Sequence, residues 1–170
     1  ASAPVTVSSA TPAAYTQSVR ADGAIHLWRL GDSAAPAVDS VAFADLNASA
    51  TGVAFGSAGV LADDLAVTSA GGSTTKLATP APEPHPQAAT IEAWVNTTST
   101  SGGRIIGFGD AGMNSTSLAA SNSSVLYLSN AGRVNLAVLG GTAYRSIQSA
   151  RAVNDGQWHH LAATVDASGL

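Results

Sequence analysis

Apolar and polar residues alternate in short segments along most of the chain, and turn-forming residues separate the segments. Alternation with a period of two places the apolar side chains on one face of an extended strand. In the second half it predicts strands at residues 90–96, 104–108, 124–129, 133–139, 143–148 and 158–165. In the first half it predicts strands at residues 24–30, 41–46 and 53–55, with weaker ones at 60–61 and 65–68. Strands at this spacing, with turns such as Asn130-Ala131-Gly132 between them, indicate an antiparallel β-sandwich.

The N-terminal region departs from this alternation. Residues 1–14 are small and polar with two prolines, which predicts a flexible lead-in. Residues 15–23 predict a short helix, because apolar residues recur about four positions apart and Gly23 ends the pattern. Prolines alternate over residues 80–86 and predict an extended connector, since proline cannot donate a hydrogen bond to a sheet. Strand patterns resume directly afterwards, so we expect one domain over residues 15–170.

Composition narrows the class of protein. Charged residues make up 11% of the chain, well below the roughly 25% of average soluble domains, so Ser, Thr, Asn and Gly supply much of the polar surface. This composition is typical of exported bacterial proteins. Together with the opening residues Ala-Ser-Ala-Pro, it leads us to expect secretion or exposure at the cell surface.

Charge and hydropathy exclude two classes, nucleic-acid-binding proteins and membrane-spanning proteins. The net charge is −4 and the cations are scattered along the chain, whereas a nucleic-acid interface needs them clustered. No apolar run approaches the roughly 20 residues of a membrane span. The chain also lacks cysteine, which excludes a disulfide framework. We therefore expect no nucleic-acid partner and no membrane-spanning segment.

Three segments carry a resemblance to a known family. Residues 90–110 read TIEAWVNTTSTSGGRIIGFGD, and residues 153–170 read VNDGQWHHLAATVDASGL. Residues 15–32, which end in Leu-Trp-Arg-Leu-Gly-Asp, match the first strand of bacterial members. Together they resemble the laminin G-like domains of the concanavalin-like superfamily. The resemblance implies an all-β fold, an antiparallel two-sheet sandwich of jelly-roll type.

The resemblance also implies further strands. In the family, the turn that corresponds to residues 166–170 leads into C-terminal strands that complete both sheets. We therefore expect a sandwich that is incomplete at the C-terminus as this sequence stands. Open sheet edges expose unpaired backbone groups, which folded proteins avoid. The missing strands are thus expected either on a second polypeptide segment or on residues beyond this sequence.

The predicted strand at 90–96 carries a single acidic residue, which does not fit a catalytic role. One face of this strand reads Glu92, Trp94 and Asn96. Retaining glycoside hydrolases need two carboxylates about 5–5.5 Å apart, and no second acid accompanies Glu92. Nucleophile-elbow, P-loop and EF-hand motifs are also absent from the sequence. We predict that the chain is not an enzyme and take these three residues as candidates for ligand binding.

Metal binding has one candidate cofactor, calcium. His159 and His160 are adjacent on a predicted strand, so their side chains point to opposite faces and cannot share one ion without a bulge. Laminin G-like domains often bind calcium at the sandwich rim through aspartate side chains and carbonyl oxygens, the hard ligands that this ion prefers. The resemblance implies Asp110 as one ligand, and Asp39, in the loop after the predicted strand at 24–30, is a second candidate for a different rim site.

These observations favour a non-catalytic extracellular binding or adhesion module that recognises a glycan or a surface protein. An alternative is a structural subunit of an extracellular fibre or surface assembly, completed by strands from another chain. A third interpretation is an accessory domain of a secreted glycan-active enzyme. Fold alone does not choose among them, because one fold hosts many functions.

Overall fold

The computed structural model describes residues 11–49, 51–72, 75–83, 86, 88–109, 122–140 and 143–166. These residues form α1 (Pro12–Ala21), β1 (Asn47–Ala48), β2 (Val53–Ala58), β3 (Leu65–Ser69), β4 (Leu77–Ala78), β5 (Ala89–Asn96), β6 (Gly103–Gly109), β7 (Asn122–Leu128), β8 (Arg133–Gly140), β9 (Ala143–Ala152) and β10 (Trp158–Val165). They divide into two compact units, the first within residues 1–70 and 75–80 and the second within residues 71–74 and 81–170.

The helix of the first unit begins earlier than the sequence predicted. The Thr11 side chain caps it by accepting a hydrogen bond from the backbone N–H of Ala14 at 3.2 Å. Pro12 occupies the first turn, where its missing N–H costs no helical hydrogen bond. The helix therefore includes the last residues of the segment interpreted as a lead-in, whose residues 1–10 lie outside the described part of the chain. Gly23, with a φ of 85°, follows its C-terminus.

Three segments of the first unit that the sequence predicted as strands are not strands in the structure. Residues 24–30 and 41–46 contribute only isolated bridge residues, Trp28 and Leu46, and residues 60–61 lie outside any strand. Aspartate side chains accept hydrogen bonds from several backbone N–H groups in this region, where a neighbouring strand would otherwise accept them. The alternation of apolar and polar residues at 24–30 and 41–46 therefore does not correspond to a β-ladder.

In the described part of the first unit, regular pairing is confined to two antiparallel strand pairs. β2 pairs with β3, as expected for the predicted strands at 53–55 and 65–68, with a register shift between Ala54 and Ser57. The two-residue strands β1 and β4 form the other pair. An ion pair of 2.5 Å between Arg29 and Asp64 connects distant parts of the same unit.

The second unit is a sandwich of two antiparallel sheets. One sheet consists of β5 and β10, and the other runs in the order β6-β7-β8-β9. Its core combines Ile91 and Leu161 from the first sheet with Leu126 and Leu136 from the second, each no more than 7% exposed. Every strand predicted in the second half of the sequence overlaps one of these six strands. The predicted all-β, antiparallel two-sheet fold is thereby confirmed.

Leu126 provides a test of this core because its side chain is fully buried. We expect Leu126→Ala to lower the free energy of unfolding by about 2–5 kcal/mol, through lost apolar burial and the cavity left behind. Leu139→Ala is the matched control, since Leu139 is 37% exposed and should cost under about 1 kcal/mol. Urea titration followed by tryptophan fluorescence measures both. Similar losses in the two variants would contradict the assigned core.

Candidate binding site

The sheet of β5 and β10 has one face towards the core and one towards solvent. Residues 91, 93 and 95 of β5 face the core, as do residues 159, 161, 163 and 165 of β10. The even-numbered residues of both strands face outward. The outward positions, called the outer face below, are Thr90, Glu92, Trp94, Asn96, Trp158, His160, Ala162 and Thr164. All of them are exposed except Trp158, which is half-buried. The outer face is therefore a solvent-exposed sheet surface that carries aromatic and polar side chains.

Three side chains form the centre of the outer face. Trp94 lies opposite His160 in the ladder, and their ring centroids are 4.9 Å apart with the planes inclined by 39°. His160 Nε2 is also 3.3 Å from Glu92 Oε2. Trp94 remains 39% exposed in spite of these contacts. An indole ring, an imidazole and a carboxylate are thus contiguous and open to solvent.

The structure brings together the three ligand-binding candidates predicted from sequence. Glu92, Trp94 and Asn96 lie on the same outward side of β5, as the alternation predicts. Sequence analysis did not include Trp158 and His160 among the ligand-binding candidates. Only the register between β5 and β10 places these two beside the candidates, and no local pattern in either strand specifies that register.

Asn154, in the Asn-Asp-Gly turn before β10, connects this turn to the loop after β5 at one end of the sheet. The Asn154 side chain donates a hydrogen bond to the carbonyl of Ser99 at 3.0 Å, and so ties the turn to the loop after β5. The same side chain lies against Gly132, where a Cβ atom would collide with it. Gly132 has a φ of 72°, so the predicted turn at Asn130-Ala131-Gly132 holds its glycine in the left-handed region. Asn154 therefore has a structural role.

Asp155 stabilises the same turn and orients the first histidine of β10. Its Oδ1 accepts the N–H of Gln157 at 3.0 Å and lies 2.8 Å from His159 Nε2. The hydrogen bond from His159, followed by that from Gln157, lowers the pKa of Asp155. His159 thus contacts the turn while His160 contacts Glu92, so the two histidines diverge as predicted and cannot share one metal ion.

Asp39, a predicted calcium ligand, lies in the first unit and its side chain is fully buried. Its Oδ1 accepts the backbone N–H groups of Leu27 and Val41, each at 3.0 Å. Its Oδ2 is 2.7 Å from Nδ1 of His26, whose ring stacks on Trp28 with centroids 5.1 Å apart. Asp39 therefore organises the irregular segments around residues 27 and 41 in place of a strand ladder.

These contacts do not suit a calcium ligand. Burial raises the pKa of Asp39, but hydrogen bonds from Leu27, His26, Val41 and Ala42 outweigh it, and the pKa is lowered overall. Both carboxylate oxygens already face nitrogen atoms. Among the described residues, no group of three or more His, Cys, Asp or Glu could hold a metal ion. The other candidate, Asp110, lies outside the described residues, and calcium binding stays a prediction.

Comparison with known proteins gives one match. The model of a laminin G family, described as the concanavalin A-like lectin/glucanases superfamily, matches residues 70–170. The match includes β5 to β10 and every residue of the outer face. No curated protein and no solved structure matches the chain. In the described part of the chain, no helix is long and apolar enough to cross a membrane.

Removing the Asp39 carboxylate should destabilise the first unit. We expect Asp39→Ala to lower its free energy of unfolding by about 1–3 kcal/mol, because buried N–H groups lose their acceptor. Asp39→Asn should cost less, because its amide oxygen still accepts hydrogen bonds. Circular dichroism during urea titration measures both losses.

The cost of Asp39→Asn should also depend on pH. Because the folded pKa of Asp39 lies below its ordinary value of 3.8, the stabilisation is fully present above that pH and is lost as the pH falls through the folded pKa. The difference in unfolding free energy between the native chain and Asp39→Asn should therefore be constant near neutral pH and shrink as the pH falls below about 4. A difference that is constant or larger in acid would contradict the assigned role.

Proposed function

The chain belongs to the laminin G-like family of the concanavalin A-like lectin/glucanases superfamily, and we propose that it is a non-catalytic extracellular module that binds a glycan on its outer face. Domains of this family are typically binding modules and are commonly extracellular. The low content of charged residues, 11%, also supports an extracellular location.

The observation that carries this proposal is the concentration of aromatic rings on the outer face. Two of the chain's three tryptophans, Trp94 and Trp158, lie there beside His160. Sugar rings combine an apolar C–H face with hydroxyl groups around the rim. A solvent-exposed indole matches the apolar face, because it offers a large rigid surface at low entropic cost.

Polar side chains around the indole match the sugar hydroxyls. The Glu92 carboxylate accepts hydrogen bonds, while the Asn96 amide both donates and accepts them. The contact between Glu92 and His160 holds the carboxylate beside the Trp94 ring. A pyranose stacked on Trp94 would thus have acceptors and donors within reach along both strands. This arrangement supports recognition of a neutral glycan over recognition of an apolar ligand.

The same surface supports a non-catalytic role. Among the eight positions of the outer face, Glu92 is the one carboxylate. Hydrolysis of a glycosidic bond by the usual mechanism needs a second carboxyl group on the other side of the bond. A glycan on Trp94 would therefore be bound and not cleaved.

Truncating Trp94 tests the proposal. A glycan array identifies a ligand for the native chain, and titration calorimetry then gives its affinity. We expect Trp94→Ala to weaken binding by about tenfold or more, because a loss of about 1.4 kcal/mol corresponds to that factor. Glu92→Gln should weaken binding less, since the amide still accepts a hydrogen bond.

Tyr144→Ala is the matched control, because Tyr144 is 52% exposed and lies on β9, away from the outer face. Its affinity for the glycan should equal that of the native chain. A native chain that binds no glycan on the array, or equal affinities for Trp94→Ala and Tyr144→Ala, would overturn the proposal. Circular dichroism confirms that each variant is folded.

A further inference from the structure

The tryptophans of the chain differ in the hydrogen bonding of their indole N–H groups. Trp28, in the first unit, donates this group to the carbonyl oxygen of Ala44 at 2.8 Å. Within the described residues, neither Trp94 nor Trp158 donates such a bond, and the side-chain amide of Asn96 has no hydrogen-bond partner either. Tryptophans that are removed from water usually pair this group. The outer face therefore offers two indole N–H groups and one amide to a ligand.

These groups lie at two separate positions on the outer face. Trp158 lies opposite Asn96 in the ladder and is therefore diagonal to Trp94, which lies opposite His160. The Cα atoms of diagonal neighbours are about 7–8 Å apart. In the described part of the chain, the ring of Trp94 contacts that of His160, whereas the two indole rings do not stack on each other. One sugar ring can therefore stack on only one indole, so a ligand that uses both has at least two sugar residues.

The openness of the outer face favours the interior of a glycan chain over its end. Seven of the eight positions are exposed, and Trp158 is half-buried. Recognition of a chain end needs side chains that block the path of the chain, whereas an open sheet surface lets the chain continue on both sides. Sugars in β-1,4 linkage form an extended chain that can follow such a surface. Sugars in α-1,4 linkage coil and would leave it.

The charges of the outer face favour a neutral chain. Among its eight positions, Glu92 is the one carboxylate and none is Lys or Arg. A glycan with carboxylate or sulfate groups would meet Glu92 without a permanent cation to balance it, and like charges repel. We propose that the outer face binds the interior of an extended, neutral β-1,4-linked glycan chain, with one sugar residue on Trp94 and another on Trp158 and Asn96.

This inference rests on the glycan binding proposed above and adds the class of glycan and the second position. NMR titration of the indole N–H signals tests it. The probes are the tetrasaccharides of β-1,4-linked glucose, xylose and N-acetylglucosamine, each compared with its monosaccharide. We expect at least one tetrasaccharide to shift the signals of Trp94 and Trp158. The signal of Trp28 should not move, because its N–H is already hydrogen-bonded within the first unit.

The length and linkage of the probe should both change the affinity. The tetrasaccharide should bind about tenfold or more tightly than its monosaccharide, because the second sugar position adds contacts. The tetrasaccharide of α-1,4-linked glucose should bind about tenfold or more weakly than the β-1,4-linked tetrasaccharide, because a coiled chain reaches one position only.

Three variants assign the two positions. Trp158→Ala should weaken binding of the tetrasaccharide by about tenfold and leave that of the monosaccharide unchanged, whereas Trp94→Ala should weaken both. Asn96→Ala should act in the same direction as Trp158→Ala, with a smaller effect. It is expected to fold, since Asn96 is exposed and makes no side-chain hydrogen bond within the described residues. Tyr144→Ala is again the control and should match the native chain.

Four results would overturn this inference and leave the proposed glycan binding intact. The first is binding of a glycan on the array but of none of the three β-1,4-linked tetrasaccharides. The second is equal affinity for tetrasaccharide and monosaccharide, and the third is equal affinity for the α-1,4-linked and β-1,4-linked chains. The fourth is unchanged tetrasaccharide affinity in both Trp158→Ala and Asn96→Ala. A native chain that binds no glycan at all would overturn both proposals.

Discussion

The antiparallel register between β5 and β10 is the constraint on which the second unit depends. This register aligns the core-facing residues of both strands, so that Ile91 and Leu161 pack against the four-stranded sheet. The same register places His160 opposite Trp94 on the other side. Because side chains alternate along a strand, a slip of one residue would exchange the two faces, expose the core leucine and bury the polar cluster. Core packing thus holds the outer face in place.

In the first unit, hydrogen bonds to an aspartate side chain take the place of a strand ladder. Where a sheet would pair backbone groups between strands, the buried Asp39 carboxylate accepts the N–H groups of Leu27 and Val41. A buried carboxylate that accepts several hydrogen bonds stays ionised, and its loss leaves buried donors without partners. Asp39 therefore stabilises the fold of this unit, and calcium binding at this residue stays a prediction.

β10 connects the core to the proposed glycan site. Leu161 and Val165 face the core, whereas His160 belongs to the outer face. Because side chains alternate along a strand, burial of Leu161 on one side directs His160 to solvent on the other. A glycan on the outer face would therefore contact a strand whose position is determined by packing on its opposite side.

The sequence by itself determined the strands of the second unit and the common face of Glu92, Trp94 and Asn96, because two-residue alternation is a local property. It also determined the Gly132 turn, where the left-handed conformation requires glycine. Only the tertiary structure decided that residues 24–30 are not a strand and that His160 joins Trp94. Both depend on partners distant along the chain, namely Asp39 and the register of β5 with β10. Local patterns specify which face a side chain occupies, but not which strand lies beside it.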